Sequence, residues 1–62
     1  MTPTMQYNVF VNINCANGRF NDIYMVNAKD EAQAAQKATQ RVIDEMDGVT
    51  EVDVIGCLKV NR

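Results

Sequence analysis

The chain has 62 residues, a net charge of −2, two cysteines and no histidine, which predicts one domain with neither a disulfide framework nor a tetrahedral zinc site. A chain of this length buries only about 60% of its unfolded surface, so we expect self-association to supplement the core. The charge disfavours double-stranded nucleic acid, which requires a basic surface. No apolar run approaches the roughly 18 residues of a membrane span, and the first residues do not form a signal peptide. We therefore expect a protein of the reducing cytoplasm, or of the host cytoplasm if it is viral.

Two strands joined by a tight turn are predicted after a lead-in over residues 1–5. Apolar and polar residues alternate at about 6–15 and again at about 19–28, as in strands with one buried face. Asn17 and Gly18 lie between the two runs, and both tolerate the positive φ of a type I′ turn. With these two residues as the loop, Ala16 pairs with Arg19 and Phe10 pairs with Met25.

An amphipathic helix is predicted at about 31–47. Asp30 is its expected N-cap, Gln33 completes a capping box, and Gly48 is expected to end the helix. At about 100° per residue, one stripe should be buried: Ala32, Ala35, Ala38, Thr39, Val42, Ile43 and Met46.

A third strand at about 50–60 completes the pattern β-β-α-β over residues 1–62. The second strand, the helix and the third strand form a crossover, which is right-handed when its strands are parallel. The simplest sheet has the order 2-1-3 with one helix on one face, and the third strand then runs antiparallel to the first. The prediction is an α+β fold (ββαβ) whose three-stranded sheet carries one helix on one face.

The face of the sheet opposite the helix, here called the uncovered face, is predicted to have an apolar centre. A face in water should be mostly polar, yet Phe10 lies in its central strand beside Met25. The residues predicted to lie there are Asn8, Phe10, Asn12, Asn14, Asn21, Ile23, Met25, Asn27, Glu51, Asp53, Ile55, Cys57 and Lys59. Three interpretations stay open: a homodimer packed sheet on sheet, a surface for another protein or a small ligand, and ordinary scattered exposure of apolar residues.

Residues suited to catalysis are scarce in this sequence. Without serine or histidine, the chain holds neither a Ser-His-Asp nor a Cys-His arrangement. Its glycines are isolated, and its acidic residues do not have the spacing of an EF-hand. We therefore expect no enzyme, no metal site and no cofactor. Cys15 and Cys57 should be thiols on opposite faces, and Arg19 beside the turn is either solvated or contacts an anion.

The junction YMVNAKDEAQAAQKA resembles small accessory proteins of phages and mobile elements. In these a strand ending in V-x-A leads through an acidic cap into an alanine-rich helix. The matching residues are Val26, Ala28, Asp30, Glu31, Ala32, Ala34 and Ala38. The resemblance implies a virally encoded accessory protein. Inhibitors of host defence are common among such proteins, and some of them sequester signalling nucleotides.

The leading hypothesis is a non-enzymatic, homo-oligomeric binding protein that inhibits host defence by binding a host protein or a small, anionic, nucleotide-like ligand. Asparagine amides would supply hydrogen bonds, and Phe10 and Met25 would supply apolar contacts. The expected binding residues are Asn8, Phe10, Asn12, Asn14, Arg19, Asn21, Ile23, Met25, Asn27, Ile55 and Cys57. The alternatives are a purely structural homo-oligomerisation module and a small enzyme.

Overall fold

A computed structural model describes residues 3–60. Residues 1–2, which begin the predicted lead-in, and residues 61–62 lie outside the described residues. The elements are β1 (Met5–Cys15), β2 (Gly18–Ala28), α1 (Glu31–Glu45) and β3 (Val49–Lys59). The strands form one antiparallel sheet in the order β2-β1-β3, which confirms the predicted ββαβ fold. No helix within residues 3–60 has the length and apolar character needed to cross a membrane.

The hydrophobic core lies between α1 and one face of the sheet. Its members are Tyr7, Val9, Val11 and Ile13 of β1, Tyr24, Val26 and Ala28 of β2, and Ala34, Ala38 and Val42 of α1. The buried residues of α1 recur every four positions, so the helix contacts the sheet along a narrow line in which alanines allow close approach. The predicted stripe was therefore partly wrong: it left out Ala34, which is fully buried, and it included Ala32, which is exposed, and Ile43, which is 53% exposed.

Helix α1 begins at its predicted N-cap. Asp30 Oδ1 accepts a hydrogen bond from Gln33 N at 2.8 Å, and Gln33 Oε1 accepts one from Lys29 N at 2.8 Å, so the capping interaction reaches one residue further back than expected. The helix ends at Glu45, two residues before the predicted end, with Met46 as its C-cap. Gly48 takes a positive φ of 75° in the link to β3.

The register of the hairpin is two residues away from the predicted one. Cys15 lies opposite Gly18, so the loop consists of residues 16–17. Gly18 has a φ of 138°, and within residues 3–60 only glycines have a positive φ. Asn17 therefore does not adopt the type I′ conformation. Phe10 therefore pairs with Ile23 instead of Met25. A shift of two residues leaves every side chain on its predicted face.

Strand β3 contains a β-bulge at Ile55. Phe10 pairs with Gly56 whereas Val11 pairs with Val54, so Ile55 is an extra residue in β3. An extra residue reverses the alternation of faces along the rest of the strand.

The bulge overturns part of the prediction for the third strand. Cys57 pairs with Val9 and packs against the core, and Lys59 pairs with Tyr7 on the same side of the sheet. Both were predicted on the uncovered face. Both predictions were wrong, because they assumed an unbroken alternation and the bulge interrupts it. Leu58 takes a place on the uncovered face instead, opposite Asn8.

Candidate functional site

The uncovered face carries apolar side chains from all three strands. We call this group the apolar band: Phe10, Ile23, Met25, Ile55 and Leu58. Ile23 and Met25 are 56% and 54% exposed, and Ile55 and Leu58 are 65% and 60% exposed. Phe10 is half-buried at the centre, because its ring lies between neighbours on both sides. A band of this exposure keeps a substantial apolar surface in water.

The ring of Phe10 lies against the backbone of β3 at Gly56. A Cβ atom at Gly56 would be 3.3 Å from Phe10 Cδ2, closer than an ordinary van der Waals contact. The lack of a side chain at this edge-strand position therefore lets the ring extend across the sheet, as aromatic residues do beside strand glycines. Phe10 thus joins the apolar side chains of β2 to those of β3.

Five asparagines surround the apolar band: Asn8, Asn12 and Asn14 on β1 and Asn21 and Asn27 on β2. Asn12 pairs directly with Asn21 across the two strands. No side-chain amide of these five has a hydrogen-bond partner among residues 3–60. Since each amide has donors and an acceptor, the asparagines offer unused hydrogen-bonding groups beside an apolar centre.

The two ends of the uncovered face carry different polar side chains. Near the hairpin turn, Asn14 lies between Arg19 on β2 and Glu51 on β3. Arg19 and Glu51 are therefore two strand spacings apart, about 10 Å, and the carboxylate weakens the attraction of this end for an anion. At the far end, Gln6 Nε2 donates a hydrogen bond to Met25 Sδ, which ties the first strand to the apolar band.

Titratable groups with shifted pKa values lie on the helix side of the sheet. Burial raises the pKa of the Cys57 thiol, and the nearby Glu31 carboxylate adds to the effect. A raised pKa lowers the fraction of reactive thiolate at neutral pH. In the described part of the chain, no group of three or more His, Cys, Asp or Glu side chains is placed to hold a metal ion.

All the predicted binding residues except Cys57 lie on the uncovered face. Leu58 was not predicted on this face, because an unbroken alternation in the third strand places it on the helix side. The available signal was Gly56, since an isolated glycine inside a strand often marks a bulge.

No protein-family model matches the sequence, and no curated protein or solved structure matches it either. Functional inference therefore depends on the uncovered face.

Proposed function

We propose that this protein is a non-enzymatic binding protein that docks the uncovered face of its sheet onto a partner protein. The observation that carries the proposal is the apolar band, whose four outer members are all more than half exposed. Apolar surface removed from water contributes about 25 cal/mol per Å². The unpaired asparagine amides around the band complete the usual anatomy of an interface, an apolar centre with a polar rim.

The shape of this surface favours a protein over a small molecule. Small-ligand sites are concave and enclose about 70–90% of the ligand surface. The apolar band lies on an open sheet, and the depression lined by Phe10, Ile23 and Ile55 is open to solvent on one side. Such a surface is complementary to the surface of another protein.

The role of the partner is inferred from the strand-to-helix junction. Its resemblance to phage accessory proteins supports a host protein as the partner and inhibition of host defence as the role. In this structure, Asp30 caps α1, and Ala34 and Ala38 pack in the core, so these junction residues serve the fold. Recognition of the partner is therefore assigned to the uncovered face.

Sequestration of a small nucleotide-like ligand by the same face is a second candidate function. The unpaired amides favour it, because the edges of nucleobases carry donors and acceptors that an asparagine side chain complements. A stoichiometric small molecule released when the purified protein is denatured would support this candidate.

The proposal is tested by charge substitutions in the apolar band. Ile23→Asp combined with Met25→Asp places two carboxylates on exposed positions, so the fold should survive, as circular dichroism would verify. Phe20→Asp is the matched control, since Phe20 is 49% exposed on the other face of β2. We expect the double variant to bind the partner captured by the wild type at least about tenfold more weakly, and the control to bind normally.

Two results would contradict the proposal. One is a folded double variant that still captures the same partner with wild-type affinity. The other is equal loss of binding in the double variant and in Phe20→Asp, which would show that the effect is a general one of added charge.

A further inference from the structure

The two edges of the sheet differ in the state of their outward-facing backbone groups. On β2, three side-chain contacts occupy this edge: Lys37 Nζ donates to Asn27 O at 2.6 Å, Arg41 Nη1 donates to Met25 O at 3.2 Å, and Ile23 N donates to Asp22 Oδ1 at 2.8 Å. Side chains placed in this way block pairing with another strand. The β2 edge is therefore protected.

The outward-facing groups of β3 follow from its pairing with β1. Gln6 O accepts a hydrogen bond from Val60 N at 2.8 Å. The even-numbered residues of β1 therefore form the backbone hydrogen bonds to β3, and the β3 residues opposite them direct their backbone N–H and C=O groups toward β1. The residues left facing outward are Val52, Val54, Cys57 and Lys59. No side chain within residues 3–60 hydrogen-bonds to these backbone groups. The β3 edge is open.

The bulge gives this open edge a symmetric pattern. The outward-facing residues are arranged symmetrically about the midpoint between Ile55 and Gly56, with two on each side at the same spacing. In an antiparallel pair of two β3 strands centred there, Val52 lies opposite the position of Lys59, and Val54 opposite that of Cys57. The outward-facing backbone groups of one strand then lie opposite those of the other strand. The side chains on the helix side of one copy likewise lie opposite side chains on the helix side of the second copy. The edge is self-complementary, as a two-fold interface requires.

Apolar side chains flank the open edge on both faces of the sheet. On the helix side, Val54 is 38% exposed and Ile43 of α1 is 53% exposed. On the uncovered side lie Ile55 and Leu58 of the apolar band. Strand pairing along this edge would remove apolar surface from water on both sides of the new hydrogen bonds.

We propose that β3 pairs antiparallel with β3 of a second copy, about a two-fold axis between Ile55 and Gly56, to form one continuous sheet. Both helices lie on the same side of that sheet, and Ile43 lies beside residues 49–52 of β3. The two uncovered faces become one surface, and the protected β2 edges end the assembly at two copies. This interface does not rest on the proposed function.

The native mass tests the interface. The wild type should sediment at twice the mass of one chain. Val54→Lys should weaken the dimer at least about tenfold, because the introduced ammonium group lies diagonal to the partner's Lys59 and brings two like charges together on the same face of the sheet. Phe20→Lys is the matched control on β2 and should leave the dimer intact. A monomeric wild type, or a dimer unchanged by Val54→Lys, would overturn the proposal.

A disulfide tests the register. Directly opposite Cα atoms in antiparallel strands lie about 4.5–5.5 Å apart, within the range that a disulfide spans. In a Cys15→Ser background, oxidation by copper phenanthroline should link the thiol introduced by Val54→Cys to the partner's Cys57. The thiol introduced by Val52→Cys faces the partner's Lys59 and should not be linked.

Without an introduced thiol, no link is expected, because Cys57 and the partner's Cys57 are offset by three residues, roughly 10 Å. The links are read as a covalent dimer on a non-reducing gel, after circular dichroism has shown that the variants are folded. Cross-linking by Val52→Cys in preference to Val54→Cys, or by Cys57 alone, would overturn the proposed register.

Discussion

The asparagines of β1 have little to do with forming the strand. Asparagine is depleted in strands, on a scale that spans about 1 kcal/mol, yet Asn8, Asn12 and Asn14 all lie in the central strand. Central-strand backbone groups are bonded on both sides, so the amides are not needed to complete the ladder. Their side chains point to the uncovered face, where they have no partner among residues 3–60. Recognition of a partner gives a reason for them that the fold does not.

Tyr24 should make stability fall at alkaline pH. Burial raises the pKa of its hydroxyl above the ordinary value of 10.0, the Asp22 and Glu45 carboxylates add to this, and Arg41 opposes it from 5.5 Å above the ring centroid. The unfolded chain therefore loses the proton at lower pH than the folded chain. Stability is fully retained below about pH 10 and is lost as the pH rises through the folded pKa.

Urea unfolding of the wild type and of Tyr24→Phe between about pH 8 and 11 would measure this effect. The phenylalanine variant lacks the titrating group, so its free energy of unfolding should fall less steeply over the upper part of the range. Parallel curves for the two proteins would show that ionisation of Tyr24 is not coupled to folding.

At the scale of single elements, Asp30 is the residue on which the start of α1 depends most directly. Asp30→Ala removes the acceptor for Gln33 N and should lower the free energy of unfolding by about 1 kcal/mol, within a range of roughly 0.5–2 kcal/mol. Asp44→Ala is the matched control, since Asp44 is an exposed carboxylate near the other end of the same helix. Its loss should change stability by less than about 0.5 kcal/mol.

Thermal or urea unfolding of the two alanine variants measures the difference. Equal destabilisation would mean that the bond from Asp30 to the first turn of the helix contributes nothing beyond the loss of an exposed charge.

The elements could be predicted from the sequence because each has a local cause. Alternation gave the strands, and Asp30 with Gln33 gave the start of the helix. The faces of β1 and β2 were correct although the turn was misplaced, because a two-residue shift preserves them. The bulge at Ile55 could not be located from alternation alone, because the sequence on both sides of it can be assigned to one unbroken alternating strand, and an isolated strand glycine such as Gly56 indicates a bulge without fixing which residue is the extra one. Cys57 and Leu58 were exchanged between faces for that reason.

The whole molecule is a long sheet that one helix covers only in part. Each strand has 11 residues, about 37 Å, whereas the 15 residues of α1 span about 22 Å. The principal extents of 39 × 19 × 15 Å describe the same elongated shape. One face, the ends of the other face and one edge thus remain open. Partner binding is assigned to the face, and self-association to the β3 edge.

Protection of the β2 edge should decide where assembly stops. Lys37→Ala combined with Arg41→Ala leaves the carbonyl groups of Asn27 and Met25 without their side-chain donors. The β2 edge of one dimer can then pair with that of another, so the mass should rise with concentration.

The matched control for this variant is Arg19→Ala combined with Lys29→Ala. It also removes two positive charges from a chain of net charge −2, but it leaves the hydrogen bonds of Lys37 and Arg41 to the β2 edge in place. Sedimentation at increasing concentration should show species larger than a dimer for the first variant only. If both double variants stay dimeric, then Lys37 and Arg41 do not limit assembly. The edge would instead be protected by Asp22, whose carboxylate still accepts a hydrogen bond from Ile23 N, and Asp22→Ala in the same background should then release it.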